Sequence, residues 1–474
     1  MSTPAPDSPG ALIAALVARA RIAQREYETW SQERVDEAVV AAGWAIVEPG
    51  RNKALAELAV RDTGLGNAAD KFAKNRRKTI GLLRDLHGAK SVGVISEDTA
   101  RGLIEIARPV GVVAAITPST NPAATPANNI INALKGRNAI IVAPSPKGAS
   151  TLALLVDFIH AELDRVAAPR DLVQALPAPV TREQTFMLMR ETDLVVATGS
   201  QTNVRAAYES GTPALGVGPG NVAAIVDETA DVAEAAAKIA TSKAFDNATS
   251  CSSENSVIVV DGQADALIDA FAREGGVLLD EEETRRLRKA MFPSGKLAPR
   301  VIAQAACEIA QHAGLVRPEL ETARFLIVPE TGVGAAHPFS GEKLSPVLAL
   351  YRVPDFAAAG ELAARLLAFQ GAGHSVGLHT REPARAVALG LTLPVCRVIV
   401  NQVHCFATGG SFDNALPFSL SMGCGTWGRN SLSDNLNYRH FLNITRVVMP
   451  FAPADVHEPT DDEIFGAYRR KFRV

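Results

Sequence analysis

The feature that most constrains this chain is the regular alternation of short β-branched runs with alanine-rich helical stretches between residues 110 and 226. Residues 110–116 (VGVVAAI) predict a strand, 125–134 a helix and 138–143 a second strand. That order is a βαβ unit, the building block of a parallel sheet covered on both faces. Helix 149–163, strand 173–176, helix 182–190, strand 194–197 and helix 202–210 extend it. In such a sheet ligands sit at the carboxyl ends of the strands. Two loops therefore become candidates for binding. One follows the first strand and holds Thr117, Pro118, Ser119 and Asn121. The other holds Gly199 and Ser200 and opens a helix, whose N-terminal amides suit a phosphate. The usual GxGxxG dinucleotide fingerprint is absent.

A second α/β stretch follows. Residues 214–220 (ALGVGPG) read as a glycine-rich crossing, 222–226 as a strand and 232–240 as a helix, which sets a domain boundary near residue 230. Strands at 256–260, 325–328, 347–351, 375–379 and 398–401 alternate with helices beyond it. Before the first strand, residues 11–86 carry helical patterns expected to cover a sheet, and residues 1–9 are expected to be disordered. Residues 91–106 predict a hairpin turning at Glu97, Asp98 and Thr99, an arm suited to pairing with another subunit. Residues 401–435 are rich in Gly, Ser and Asn without periodicity. A loop of that length is functional or disordered, and its aromatics and cysteines favour function.

With 474 residues the chain has room for two or three domains. A net charge of -3 gives no electrostatic case for nucleic acid or an anionic membrane. The cysteines, Cys251, Cys307, Cys396, Cys405 and Cys424, are odd in number and show no paired metal spacing. They indicate a reducing, cytoplasmic compartment, no disulfide framework and no metal. No signal-peptide layout or membrane-length apolar run is present. Cys251 stands out among the five. It lies in FDNATSCSSENSVIVV (245–260), in the loop entering a buried strand, where a rigid scaffold holds reactive groups. A free thiol is only about 3% ionised at neutral pH, so such a cysteine needs activation to attack carbon.

Ordered stretches along most of the chain carry a family resemblance: ITPSTNP (116–122), ATGS (197–200), GVGPGN (216–221), FDNATSCSSENSVIV (245–259), EKLSPVL (342–348), GAGH (371–374) and GCGTWGRNS (423–431). By these the chain resembles an aldehyde dehydrogenase, and more narrowly the CoA-acylating branch found in bifunctional aldehyde–alcohol dehydrogenases. The resemblance implies an α/β fold of two parallel-sheet domains with a β oligomerisation arm. Residues 1–90 and 109–230 would form a Rossmann-like nicotinamide domain, 231–430 the catalytic domain, and 91–108 with 431–474 the arm and C-terminal segment of a homodimer or homotetramer. Cys251 would be the nucleophile that forms a thioester, and Asn121 would stabilise the oxyanion. Thr117, Pro118, Ser119, Gly199, Ser200, Gly218, Glu342 and His374 would contact the cofactor.

Two departures from the hydrolytic family members refine this. Those enzymes carry a glutamate base in a Glu-Leu-Gly-Gly-Lys segment, where this chain has GVGPG (216–220). Without that base, a thiol such as CoA displaces the thioester more readily than water. After the second strand no acidic residue stands against a 2′-phosphate, while Ser145 and Lys147 would accept one, so NADP fits alongside NAD. The loop 401–446 is most similar to that of acylating enzymes acting on sulfoacetaldehyde. His404, Asn414, Arg429 and Arg439 are then the expected substrate contacts, since a sulfonate wants fixed donors and a cation. Acetaldehyde or propionaldehyde, an acyl phosphate reductase such as one for glutamate semialdehyde, and an inactive scaffold of the same fold remain alternatives.

Overall fold

The computed structural model describes residues 8–473. Of the stretch expected to be disordered, residues 1–7 lie outside the described residues. Ser8 and Pro9 instead start a helix: the Ser8 hydroxyl accepts from the Ala11 amide, and Pro9 takes the first helical position, where a missing N–H costs nothing. Four helices, Pro9–Tyr27, Gln32–Val47, Pro49–Thr63 and Ala68–Leu86, occupy the N-terminal stretch. Each start is capped by a polar side chain: Ser8, Ser31, Glu48 and Asn67. Gly64, at φ 67°, ends the third in the left-handed conformation that a glycine adopts without steric cost.

These helices pack on a five-stranded parallel sheet. Its spatial order is Val173–Ala175, Ala139–Ala143, Val112–Ile116, Leu194–Ala197, Ala214–Gly216. The strand order reverses beside Val112–Ile116, so the two candidate loops, after Ile116 and after Ala197, flank the switch point where ligands enter open α/β sheets. The last strand lies within the stretch read as a glycine crossing. It is a three-residue edge strand that pairs through its backbone, with little side-chain pattern to reveal it.

A second, seven-stranded parallel sheet runs Gly276–Leu278, Phe325–Pro329, Val347–Val353, Glu254–Val260, Val222–Val226, Val376–His379, Val398–Val400. Apolar clusters cover both of its faces. Val222–Val226 pairs with the strands Glu254–Val260 and Val376–His379. The change from one sheet to the other therefore falls between Gly216 and Val222, earlier than the expected boundary near residue 230. Sequence order could not separate them, because a buried parallel strand reads alike in either sheet.

A hairpin forms, with Gly93–Asp98 antiparallel to Leu103–Pro109, but it turns at residues 99–102: Glu97 and Asp98, expected in the turn, pair with Ile104 and Leu103. Leu442–Val448 adds a third antiparallel strand beside it. The loop after residue 401 is ordered and returns to the first body: Phe418, Leu432, Leu436 and Phe441 join its core. Gly81 makes room for this return, since a Cβ there would stand 2.2 Å from the Phe418 ring.

Candidate active site

The nucleophile loop is shaped by an unusual backbone. Asp246, Asn247 and Ala248 are all left-handed, at φ 50°, 49° and 57°. Non-glycine residues there cost about 1–2 kcal/mol each, so the surroundings must hold them. The fully buried Asp246 carboxylate does so. It accepts from the ammonium groups of Lys71 and Lys74, from Thr249 Oγ1 at 2.7 Å and from the Asn67 amide at 3.0 Å. Burial pushes this carboxyl up, but Lys74 and Lys71 outweigh it and keep it below the usual carboxylate range. Leaving such lysines buried without their partner costs about 3–5 kcal/mol, so Asp246 ties the loop firmly to the helix Ala68–Leu86.

Lys74 also reaches Asn121, donating to its Oδ1 at 2.9 Å. That contact fixes the side-chain amide with oxygen on the lysine, leaving Nδ2 as the donor end. Asn121 and Cys251 both line a cavity of about 560 Å³ between the carboxyl edge of the five-stranded sheet and the loop entering Glu254–Val260. The half-buried Cys251 Sγ stands 3.4 Å from His374 Nε2, and His374 Nδ1 is 2.7 Å from Ser375 Oγ. With Nδ1–H donated to Ser375, Nε2 is free to accept the thiol proton. Burial pushes the thiol up to about 12, and Glu342 and Cys424 add to it. Burial pushes the imidazole down to about 3, helped by Arg397 and His404. The resting pair is therefore a neutral thiol beside a neutral imidazole.

The candidate cofactor residues are brought together in part. Thr117, Pro118, Ser119, Ser145, Gly199, Ser200, Gly218 and Glu342 line the same cavity as Cys251. Ser200 caps the helix Gln201–Glu209 through the Asn203 amide. Ser145 Oγ is buried without a partner, an orphaned group that a ribose or phosphate oxygen would satisfy. These residues fit a dinucleotide: helix amides for a pyrophosphate, and Ser145 and Glu342 for ribose hydroxyls. Lys147 is exposed on the turn Pro146–Gly148, outside the cavity lining. His374, expected to line the cofactor pocket, stands beside Cys251 and is not among the residues lining the cavity.

The expected substrate contacts are elsewhere. His404 is buried behind the nucleophile loop, with Nδ1 2.8 Å from the Ser252 carbonyl oxygen, and it does not line the cavity. Asn414 spends its amide on its own loop, donating to Gln402 Oε1 and the Ala407 carbonyl and accepting from Ser411 and Leu416. Arg429, at φ 56°, and Arg439 are exposed outside the cavity. The loop that carries them spends its polar groups bracing itself, and contributes Phe406, Ser419, Leu420 and Met422 to the lining instead.

The cations that do face the cavity are Lys74, Arg77 and Lys78, on a helix expected only to cover a sheet. A signal was present: Lys71, Lys74 and Lys78 recur at helical spacing, so they share one face. Charges on a single face normally mark solvent, and here that face is buried.

The chemistry that this arrangement permits is attack by a cysteine on a carbonyl beside a dinucleotide site. A sequence profile of the aldehyde dehydrogenase family matches residues 4–276, and the chain belongs to that family. It is 62% identical over 456 residues to an acylating sulfoacetaldehyde dehydrogenase from Cupriavidus necator, covering 96% of this chain and 92% of that protein. An acetylating aldehyde dehydrogenase from Geobacillus thermoglucosidasius aligns with a TM-score of 0.90 at 35% identity, over 95% of this chain and 98% of that one. The propionaldehyde dehydrogenase of Rhodopseudomonas palustris, solved with bound CoA and an acylated cysteine, aligns at 0.81 and 25% identity, over 92% of this chain and 97% of that one.

Proposed function

We propose that this protein oxidises sulfoacetaldehyde to sulfoacetyl-CoA, reversibly, through a thioester on Cys251. The observation that carries the chemistry is one cavity lined by Cys251, which has His374 beside its sulfur, and by the oriented Asn121 amide. The similarity to the Cupriavidus necator enzyme supports the substrate and CoA.

As the Cys251 sulfur adds to the aldehyde carbon, its proton passes to His374 Nε2. The negative charge developing on the carbonyl oxygen meets Asn121 Nδ2–H and the Cys251 backbone N–H; one such donor is worth about 3 kcal/mol of barrier. When bound, NAD or NADP supplies the hydride acceptor that turns the adduct into a thioester. His374, having released its proton to solvent, then takes the proton of the CoA thiol as that sulfur attacks. It returns a proton to Cys251 as the acyl group departs.

Hydrolysis lacks the carboxylate base that hydrolytic members of the family carry in the segment 216–220. Gly220 presses so closely on the nucleophile that a Cβ would stand 1.9 Å from the Cys251 carbonyl oxygen, and at Gly218 it would stand 2.8 Å from Cys424 Sγ. A side chain at Gly220 would displace the Cys251 loop, and one at Gly218 would displace Cys424. Glu342, which does line the cavity, is pushed up to about 8 by burial, against the pull of the Gly220 amide and Lys243. Below that pH it is a neutral acid, unable to take a proton from water.

Steady-state turnover of sulfoacetaldehyde with oxidised cofactor, run with and without CoA, tests this reading. The expected result is a thioester product and at least about a 100-fold lower rate without CoA, in line with the loss of general-base assistance to water. Equal turnover without CoA, giving sulfoacetate, would overturn it.

The three-stranded arm exposes Val447 and Val448, followed by exposed Met449 and Phe451, an apolar edge that supports a homodimer or homotetramer. No described helix is long and apolar enough to cross a membrane. The reading places the enzyme in the cytoplasm, which suits five free cysteines.

A further inference from the structure

We propose that Arg77, supported by Lys78, is the subsite that receives the sulfonate of the substrate; this rests on the sulfoacetaldehyde reading above. Arg77 is held in place without being neutralised. Its guanidinium carbon lies 4.9 Å from the centre of the Phe406 ring and 5.4 Å from that of Phe412, and Nη2 donates to Ser411 Oγ at 2.6 Å. Aromatic faces and a hydroxyl orient the fork; the Asp413 carboxylate, drawn below its usual range by the Ser411 hydroxyl and by Arg77, is near but forms no direct ion pair with it. Its Nε is buried and has no acceptor. A desolvated donor left unmatched is costly, so this guanidinium gains from an acceptor brought within its reach.

Lys78, one position on, is fully enclosed. Its ammonium meets the carbonyls of Phe406, Gly409 and Gly410 at 3.3, 2.7 and 3.2 Å. Neither cation forms an ion pair among the described residues. Lys78 thus spends its three N–H donors on carbonyls, and burial pushes its ammonium down to about 7, so it braces the wall and leaves the Arg77 fork to receive an anion from the cavity that both residues line.

The placement fits a two-carbon substrate. Lys74, one turn before Arg77 on the same helix face, holds the Asn121 amide proposed to meet the carbonyl oxygen. Residues three apart on a helix are neighbours on one face, so Arg77 stands beside the lysine that holds Asn121. A sulfonate is ionised at every working pH and only accepts hydrogen bonds, which matches a site that only donates. Propanal, similar in length, offers this site nothing.

Kinetics of wild type, Arg77→Met and Arg77→Lys on sulfoacetaldehyde and propanal, with CoA, test the subsite. In Arg77→Met the ratio of kcat/KM for sulfoacetaldehyde to that for propanal should fall about 50-fold, the value of a charge-assisted contact, chiefly through KM. Arg77→Lys should recover part of the ratio, and KM for CoA and for the dinucleotide should stay put. Ethanesulfonate should compete with propanal in the wild type and less so in Arg77→Lys, a readout that holds even if Arg77→Met does not fold. Equal losses on both aldehydes would reveal a packing role, and a rise confined to KM for CoA or cofactor would reveal a phosphate site; either overturns the subsite. A selective wild type whose variants stay selective, or are inhibited as before, overturns the subsite alone. A wild type indifferent between the two aldehydes overturns the substrate reading, and the subsite with it.

Discussion

Cys251→Ala should lower aldehyde oxidation by at least about 10⁴-fold, with no acyl transfer to CoA, because no other group can form the covalent bond on which both half-reactions depend. The remaining cysteines offer no substitute. Cys424 is buried, and Cys405, although it lines the cavity, is enclosed and pushed up to about 12 by burial, with no imidazole as a recorded hydrogen-bond partner. The variant should still bind the dinucleotide, since Ser145, Gly199, Ser200 and Glu342 are untouched. Fluorescence quenching by reduced cofactor, read beside the kinetics, checks this. A variant that keeps even a hundredth of the turnover would mean that the chemistry does not pass through this sulfur.

His374→Ala should lower the rate of cysteine attack by about 10²-fold, the low end of the worth of a positioned general base, because burial makes this imidazole a weak one. The sign of the pH dependence follows from the resting charges. The imidazole, pushed down to about 3, is neutral throughout the working range, and the thiol, pushed up to about 12, is protonated throughout it. The thiolate fraction below its pKa rises about tenfold per pH unit. Alkylation of the free enzyme by iodoacetamide should thus be slow at neutrality and climb from pH 7 to 9 without levelling. A plateau near pH 7 would show a preformed thiolate–imidazolium pair and contradict this account. Loss of His374 should depress turnover far more than alkylation at pH 9, where hydroxide substitutes for the missing base.

Much of this site could be read along the chain. Cys251, Asn121 and the strand-end loops stood out because β-branched runs locate the sheet edges and short polar motifs sit at them. The cationic wall did not stand out. Lys74 becomes a site residue only because Asp246, remote in sequence, is folded onto it, and helical spacing alone cannot tell a buried charged face from a wet one. His404, Asn414 and Arg429, expected as substrate contacts, do not line the cavity, for the converse reason. They share a loop with residues that do line the cavity, but nearness in sequence does not aim side chains. His404 is spent on the Ser252 carbonyl, next to Cys251. The early boundary at Val222 reflects strand pairing, which no local pattern encodes.

The most direct test of the central claim is to trap the covalent species. Enzyme mixed with sulfoacetaldehyde and oxidised cofactor, quenched in acid before CoA is added, should carry one acyl group on the peptide containing Cys251, seen by mass spectrometry. Addition of CoA before the quench should remove it and release sulfoacetyl-CoA in equal amount. An enzyme that turns over with that peptide unmodified throughout, or with the acyl group on another residue, would contradict the account.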